Sequence, residues 1–333
     1  MQKKIWNPEM ECASREDMRA LQSEKLRKIV RYTYDRVKIY RDKMDEAGVK
    51  PEDIKTIDDI VKLPFTTRED LKKDYPTGMW AVDKKDIVRI HASSGTTGNP
   101  KVLAYTRKDL DNWAESVARG LTMCGQDENS VIQVSYGYGL FTGGLGAHQG
   151  AEKIGAMVLP MSSGNTKKQL NMMRNLKSTC LCCTPSYALT ITEAAQEAGM
   201  TPEEIPLKAG MFGAEPWSKA MKKSIEEGLG IEAHDIYGLT EITGPGVAVS
   251  CNEGEGMHVS EDLFFPEIID PNTLEPLPDG EKGELVFTTL SKEGVPMLRY
   301  RTRDICYLIH EPCACGRTNV RMSRIFGRTD DML

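Results

Sequence analysis

Nine residues, SSGTTGNPK from Ser93 to Lys101, bring four hydroxyls, two glycines and a lysine within reach of one ligand. Glycines let backbone N–H groups turn toward an anion, hydroxyls donate hydrogen bonds to its oxygens, and the lysine adds a point charge, so the composition suits polyphosphate. The pattern is not a Walker loop. Counted from Gly95, that motif needs Gly at 100 and Ser or Thr at 102, where this chain has Pro100 and Val102. The flanks DIVRIHA and KVLAY read as strands, so no helix N-terminus receives the anion and loop amides and hydroxyls must hold it. The same residue types also build an ordinary solvent-exposed hairpin, and that alternative stays open at this point.

Two further stretches have the types for nucleotide chemistry. GAEP (Gly213 to Pro216) offers a close-approach glycine and a carboxylate; YGLTE (Tyr237 to Glu241) offers a ring, a hydroxyl and a carboxylate. Together they suit a purine stacked on Tyr237 and a magnesium ion held by Glu241 beside phosphates. A Tyr-Gly turn after a strand is also common as plain structure. A third constellation is soft. Cys251 and His258 in CNEGEGMH, with Cys313 and Cys315 in CACG, make three thiols and an imidazole, a donor set typical of a closed structural zinc site, although Cys-x-Cys is tighter than the usual knuckle. Cys180, Cys182 and Cys183 sit in an apolar run and read as small core residues.

The elements that must position these residues follow from periodicity. LQSEKLRKIVRYTYDRVKIYRDKMDEAG places Leu21, Leu26, Ile29, Val30, Tyr34, Val37 and Tyr40 near a 3.6 period and predicts one helix ending at Gly48. From about residue 107, helical and strand patterns alternate (RKDLDNWAESVARG, SVIQVSY, LGAHQGAEKIG, AMVLPM and onward to IEAHDIYG), which predicts an α/β fold with parallel sheets flanked by helices. GAEP and YGLTE then fall at carboxyl ends of strands, where open α/β sheets bind ligands. Beyond Gly244 the helices stop, and GVAVSC, PEIID, GELVFTTL and DICYLIH predict a smaller β-rich subdomain. The expected division is a helical segment at 1–85, an α/β nucleotide- and acyl-binding region at 86–244, the β-rich subdomain with its candidate zinc site at 245–327, and a terminal stretch at 328–333. The chain has 333 residues, 40% hydrophobic and 28% charged, with net charge −6, so no nucleic-acid footprint exists and an anionic ligand must meet local cations. The N-terminus lacks a signal-type apolar run, no segment approaches a membrane span, and nine scattered cysteines suit reduced thiols, so the expected place is the cytoplasm.

SSGTTGNPK, GAEP, YGLTE, YRTRD (300–304) and GRTDD (327–331) occur in the order of the adenylate-forming acyl-CoA synthetase motifs. More narrowly, YGYGLFTGGLGAHQGAE and CACGRT resemble the phenylacetate–coenzyme A ligase family, and the similarity runs from the N-terminal helices to Leu333. The resemblance implies a fold like the large domain of those enzymes, with ATP, magnesium, coenzyme A and a small aromatic acid as partners. A homodimer is an open expectation of that family. It implies that Ser94, Gly95, Thr96, Thr97, Gly98 and Lys101 cradle the β- and γ-phosphates, that Glu241 ligates magnesium and Thr240 meets the α-phosphate. Tyr237 and Gly238 would take adenine with Ala214 and Glu215 beside them, Asp304 both ribose hydroxyls, and Arg328 the nucleotide. For the acyl group, Tyr136, Tyr138 and Phe141 offer ring faces and Gly143 and Gly144 leave room for a flat substrate, the competing reading being core filling.

In that family GRxDD is a hinge, followed by a small C-terminal lid whose lysine engages the α-phosphate. The chain here stops at Leu333. The expectation is a large-domain fragment, with a lidless protein as the other possibility. In function the alternative is a degenerate synthetase that binds nucleotide as an adenylate-sensing module and releases no pyrophosphate.

Overall fold

The computed structural model describes residues 5–93 and 100–331. In chain order come α1 (Pro8–Glu11), α2 (Arg15–Arg36), α3 (Lys38–Glu46), β1 (Arg89–Ser93), β2 (Lys101–Tyr105), α4 (Arg107–Met123) and β3 (Val131–Val134). There follow α5 (Gly143–Lys153), β4 (Met157–Pro160), α6 (Thr166–Asn175), β5 (Cys180–Cys183), α7 (Pro185–Glu197), β6 (Ala209–Gly213), α8 (Lys219–Leu229) and β7 (Glu232–Leu239). Among the described residues, strands and one 3-10 turn (Thr329–Asp331) follow: β8 (Gly244–Val249), β9 (Met257–Val259), β10 (Phe264–Ile269), β11 (Gly283–Thr289), β12 (Tyr300–Cys306), β13 (Leu308–Ile309), β14 (Arg321–Met322) and β15 (Gly327–Arg328).

The N-terminal helix expected to run to Gly48 is two helices. Val37 adopts extended angles (φ −113, ψ 110) between α2 and α3. Val37 and Ile39 are β-branched, so a break there sacrifices little helix propensity, and the apolar period survives it because Val37, Ile39 and Tyr40 are all buried. Ser14 caps α2 by accepting from the Asp17 N–H, with Glu16 and Asp17 in the first turn where the helix dipole favours carboxylates.

The chain forms two compact units: residues 1–7, 113–239 and 243–253 in one, residues 8–112, 240–242 and 254–333 in the other. The first unit holds strands in the order β8-β7-β6-β5-β3-β4, parallel except that β8 runs antiparallel to β7. All four residues of β5 and all five of β6 are buried, as strands covered on both faces must be, so Cys180, Cys182 and Cys183 are core residues. Helices α6, α7 and α8 pack on that core through Leu170, Met173, Ile191 and Ile225 around Phe212.

In the second unit β1 and β2 pair antiparallel with Ser93 opposite Lys101, and β10-β11-β12-β15 form an antiparallel sheet. Strand β12 starts from Arg299, a non-glycine residue at φ 46. Its guanidinium is held by Glu267 on both carboxylate oxygens (3.1 and 2.9 Å) and by the carbonyls of Val61 and Leu63 (each 3.0 Å), while its own carbonyl accepts from the Thr66 N–H. Both members of the pair are buried. Removing one member of such a pair leaves an uncompensated charge, so Glu267→Ala is expected to lower unfolding free energy by about 3–5 kcal/mol. Urea denaturation at pH 7 reads this as a lower midpoint at constant slope. Glu267→Leu combined with Arg299→Met should recover most of the loss.

Candidate active site

The candidate residues fall into two groups, one in each unit. In the second unit the chain brings together Lys101 and Tyr300 on the Glu241 carboxylate. The ammonium at the start of β2 donates to Glu241 Oε1, and the Tyr300 hydroxyl donates to the same oxygen at 3.2 Å. Burial pushes the Glu241 carboxyl upward, but the charge of Lys101 and the hydrogen bonds from Lys101 and Tyr300 outweigh it and hold the group below the usual carboxylate range. Burial and the same carboxylate raise Tyr300 well above an ordinary phenol, so its hydroxyl stays a donor.

The backbone under Glu241 is held as firmly as its side chain. Lys292 Nζ donates to the Glu241 and Ile242 carbonyls at 3.4 and 2.8 Å and sits 4.8 Å from the ring centroid of Tyr105, whose hydroxyl donates to the Thr240 carbonyl at 3.3 Å. Burial pulls the Lys292 ammonium down to about 8 against the opposing pull of Asp109 and Glu241. On the neighbouring sheet Asp304 and Arg328 face each other across β12 and β15, with Arg328 Nη1 donating to Asp304 Oδ1 at 3.0 Å. Ser94, Gly95, Thr96, Thr97 and Gly98 lie outside the described residues.

In the first unit Tyr136 is core, with its hydroxyl on the Met211 carbonyl (3.5 Å), whereas Phe141 is 43% exposed. A side chain at Gly143 would meet Phe141 Cε1 at 2.5 Å and the Tyr136 ring at 3.1 Å, and one at Gly144 would meet the Gly137 carbonyl at 2.6 Å. These glycines therefore let the chain's own rings and backbone close onto α5. The Tyr138 hydroxyl lies 3.1 Å from His148 Nδ1, and His148 Nε2 lies 3.1 Å from Glu152. Ala214 takes φ 75, and Glu215 accepts the Ser186 N–H at 2.6 Å, so GAEP caps the first turn of α7. After Tyr237 the β7–β8 register shifts, and a side chain at Gly238 would stand 1.9 Å from the Gly244 carbonyl. Only glycine fits there.

Of the soft ligands, His258, Cys313 and Cys315 in the second unit have ligand atoms within 4.8 Å of one another. Cys315 Sγ is 3.3 Å from His258 Nε2, and His258 Nδ1 is buried with no hydrogen-bond partner, which suits a soft cation. Cys251 is a buried residue of the first unit, two positions after β8. Sequence reasoning missed Tyr300, Lys292, His148 and Asp235. Tyr300 stood inside a quoted motif, and Asp235 precedes Tyr237 by two on the same strand; Lys292 carried no signal beyond lying in a turn.

A family model described as AMP-binding enzyme matches residues 16–291. The phenylacetate-coenzyme A ligase of Thermus thermophilus is 49% identical over 330 residues, 99% of this chain and 74% of that protein. The enzyme of that name from Escherichia coli K12 is 50% identical over 326 residues, 97% of this chain and 74% of that protein. Among solved structures, 2-hydroxyisobutyryl-CoA ligase in its postadenylation state with R3-HIB-AMP matches with TM-score 0.92 at 26% identity, covering 98% of this chain and 71% of that one. An open conformation of that ligase with 2-HIB-AMP and CoA matches equally, with 98% and 78% covered.

Asp235 yields a pH test. Burial raises its carboxyl to about 6, against the Trp217 hydrogen bond and the charge of Lys222 that pull it down. A raised carboxylate binds its proton more tightly folded than unfolded, so it stabilises fully below about pH 4 and loses that contribution as pH rises through 6. The side chain is not fully sealed from solvent, which trims the effect. Asp235→Asn should therefore gain about 1–2 kcal/mol relative to the parent between pH 4 and pH 7, read by urea denaturation at both values. A mutant-to-parent difference that stays constant with pH would show an ordinary carboxyl.

Proposed function

Since this chain belongs to the AMP-binding enzyme family, and within it to the phenylacetate–coenzyme A ligases, we propose that it joins phenylacetate or a closely similar aryl acid to coenzyme A at the expense of ATP. Identity near 50% over almost the whole chain is the observation that carries this reading. The enzyme is an AMP-forming acid–CoA ligase working through an acyl-adenylate. A carboxylate cannot expel oxide to form a thioester, so one carboxylate oxygen first attacks the α-phosphorus of ATP and pyrophosphate departs. The coenzyme A thiol then attacks the acyl carbon, the acyl–oxygen bond breaks, and AMP leaves with that bond's electrons.

No step needs a protein nucleophile, so positioning and charge neutralisation supply the catalysis. Lys101 and the loop before it would meet the β- and γ-phosphates, Thr240 the α-phosphate, Asp304 the ribose diol, Arg328 the nucleotide, and Tyr237 with Gly238, Ala214 and Glu215 the adenine. Tyr136, Tyr138, Phe141, Gly143 and Gly144 would border the acyl group, with the exposed Phe141 ring the face most available to an aryl ligand. Glu241 fits magnesium as a carboxylate kept ionised beside Lys101, and the ion would neutralise phosphate charge. His258, Cys313 and Cys315 would supply three ligands of a structural zinc, with Cys251 the sequence's candidate for the fourth. Nine cysteines with no disulfide among them suit a reducing compartment such as the cytoplasm, and among the described residues no helix is long and apolar enough to cross a membrane. Homodimerisation is carried by the family resemblance alone.

Mixing the protein with Mg·ATP should release pyrophosphate only when phenylacetate is present, and Glu241→Gln should cut that release by about 10²-fold or more. Tight ATP binding in calorimetry with no acid-dependent pyrophosphate would favour an adenylate-sensing module instead. Elemental analysis of the purified protein should find about one equivalent of zinc, lost together with several degrees of melting temperature in Cys313→Ser. Metal-free protein of unchanged melting temperature would remove the zinc.

A further inference from the structure

The turn that follows β7 leaves three consecutive buried carbonyls, those of Thr240, Glu241 and Ile242. They accept from Tyr105 Oη at 3.3 Å and from Lys292 Nζ at 3.4 and 2.8 Å. Lys292 is 6% exposed, and its ammonium rests on these two carbonyls and on the Tyr105 ring. A side chain of similar length without charge would fill the same space at lower desolvation cost. What the ammonium adds is donors: buried carbonyls need partners, and one lysine satisfies two. The tyrosine beneath it ends β2, the strand that Lys101 begins. One buried contact thus fixes the backbone carrying Thr240 and Glu241 to the strand returning from the hydroxyl-rich loop.

We propose that Lys292 is a positioning residue for the adenylation step. It holds the 240–242 backbone in place so that Thr240 and Glu241 stand at fixed distances from Lys101. The proposal rests on the reading of Thr240 and Glu241 as the α-phosphate and magnesium residues. The neighbouring turn is built to deliver the ammonium: Asp109 accepts the Glu293 N–H at 2.7 Å and the Gly294 N–H at 2.8 Å, and a side chain at 294 would collide with the Ala104 carbonyl at 2.3 Å. Residues 292 to 294 therefore have little freedom to shift.

The test is steady-state kinetics of phenylacetate-dependent pyrophosphate exchange on the full chain, with folding checked by circular dichroism and urea denaturation. Lys292→Met keeps the length and removes every donor. Misplacing a catalytic group by about 1 Å costs about 10²-fold, so kcat should fall about 10–100-fold and KM for ATP rise several-fold, with KM for phenylacetate within about twofold. Tyr105→Phe keeps the ring and removes the hydroxyl that donates to the Thr240 carbonyl; it should shift the same parameters in the same direction by about 3–10-fold. Should Lys292→Met fail to fold, Tyr105→Phe decides. Variants that lose stability yet keep parental kcat and KM per folded molecule would overturn the proposal and leave Lys292 a packing residue, as would equal losses for both substrates. A parent protein with no exchange at all would overturn the functional reading itself, and the proposal with it.

Discussion

Everything that β12 presents depends on the buried guanidinium of Arg299. Four hydrogen bonds leave it, two to Glu267 on β10 and two to the carbonyls of Val61 and Leu63. Its backbone sits in the left-handed region, which a residue with a β-carbon occupies only when its surroundings hold it there. The turn so fixed sets where β12 begins, and therefore where Tyr300 meets Glu241 and where Asp304 meets Arg328. A lysine could not replace it, because two parallel bonds to a carboxylate and two more to carbonyls need the planar fork.

Charge is distributed on the same logic. The chain carries a net −6, yet the described candidate carboxylates of the second unit each face a cation: Glu241 meets Lys101, and Asp304 meets Arg328. Exposed ion pairs of this kind stabilise little, but these partners are mostly shielded from water, where the interaction is stronger and fixes geometry. On the proposed reading, a bound polyphosphate would meet Lys101 and Arg328 in exchange for their present carboxylate partners.

The α/β rhythm was legible because periods of 3.6 and 2 are properties of short windows: β3, α5, β4, α6, β5, α7, β6, α8 and β7 fall where those periods alternate. The strands on either side of the hydroxyl-rich loop were legible for the same reason. Other features depend on partners far along the chain. Val37 breaks a helix whose apolar pattern runs straight through it. The grouping of residues 8–112 with 254–333 rests on contacts such as Tyr40 Oη to the Pro296 carbonyl at 2.9 Å, which no local window contains. Tyr300 and Lys292 reach Glu241 and its neighbour from 59 and 50 residues away. Motifs mark single segments, whereas a site is built from pairs of them.

Three of the nine described non-glycine residues at positive φ stand beside residues of the candidate groups. Ala214 at φ 75 precedes Glu215, Arg299 at φ 46 precedes Tyr300, and Arg303 at φ 71 precedes Asp304. Each is a non-glycine residue in a region that costs about 1–3 kcal/mol, and each immediately precedes a side chain tied to one of the contacts described above. A left-handed residue turns the next side chain through an angle that regular strand geometry does not offer. Strand β12 shows the benefit: buried and partly exposed positions alternate from Tyr300 to Cys306, and the residue at φ 71 lies inside that run beside Asp304. Such strain persists only where packing overdetermines the backbone, and here the surrounding ties are visible: Ser186 on Glu215, Glu267 on Arg299, and Arg328 on Asp304. At these three positions the backbone is thus held by named contacts, which suits chemistry that relies on positioning.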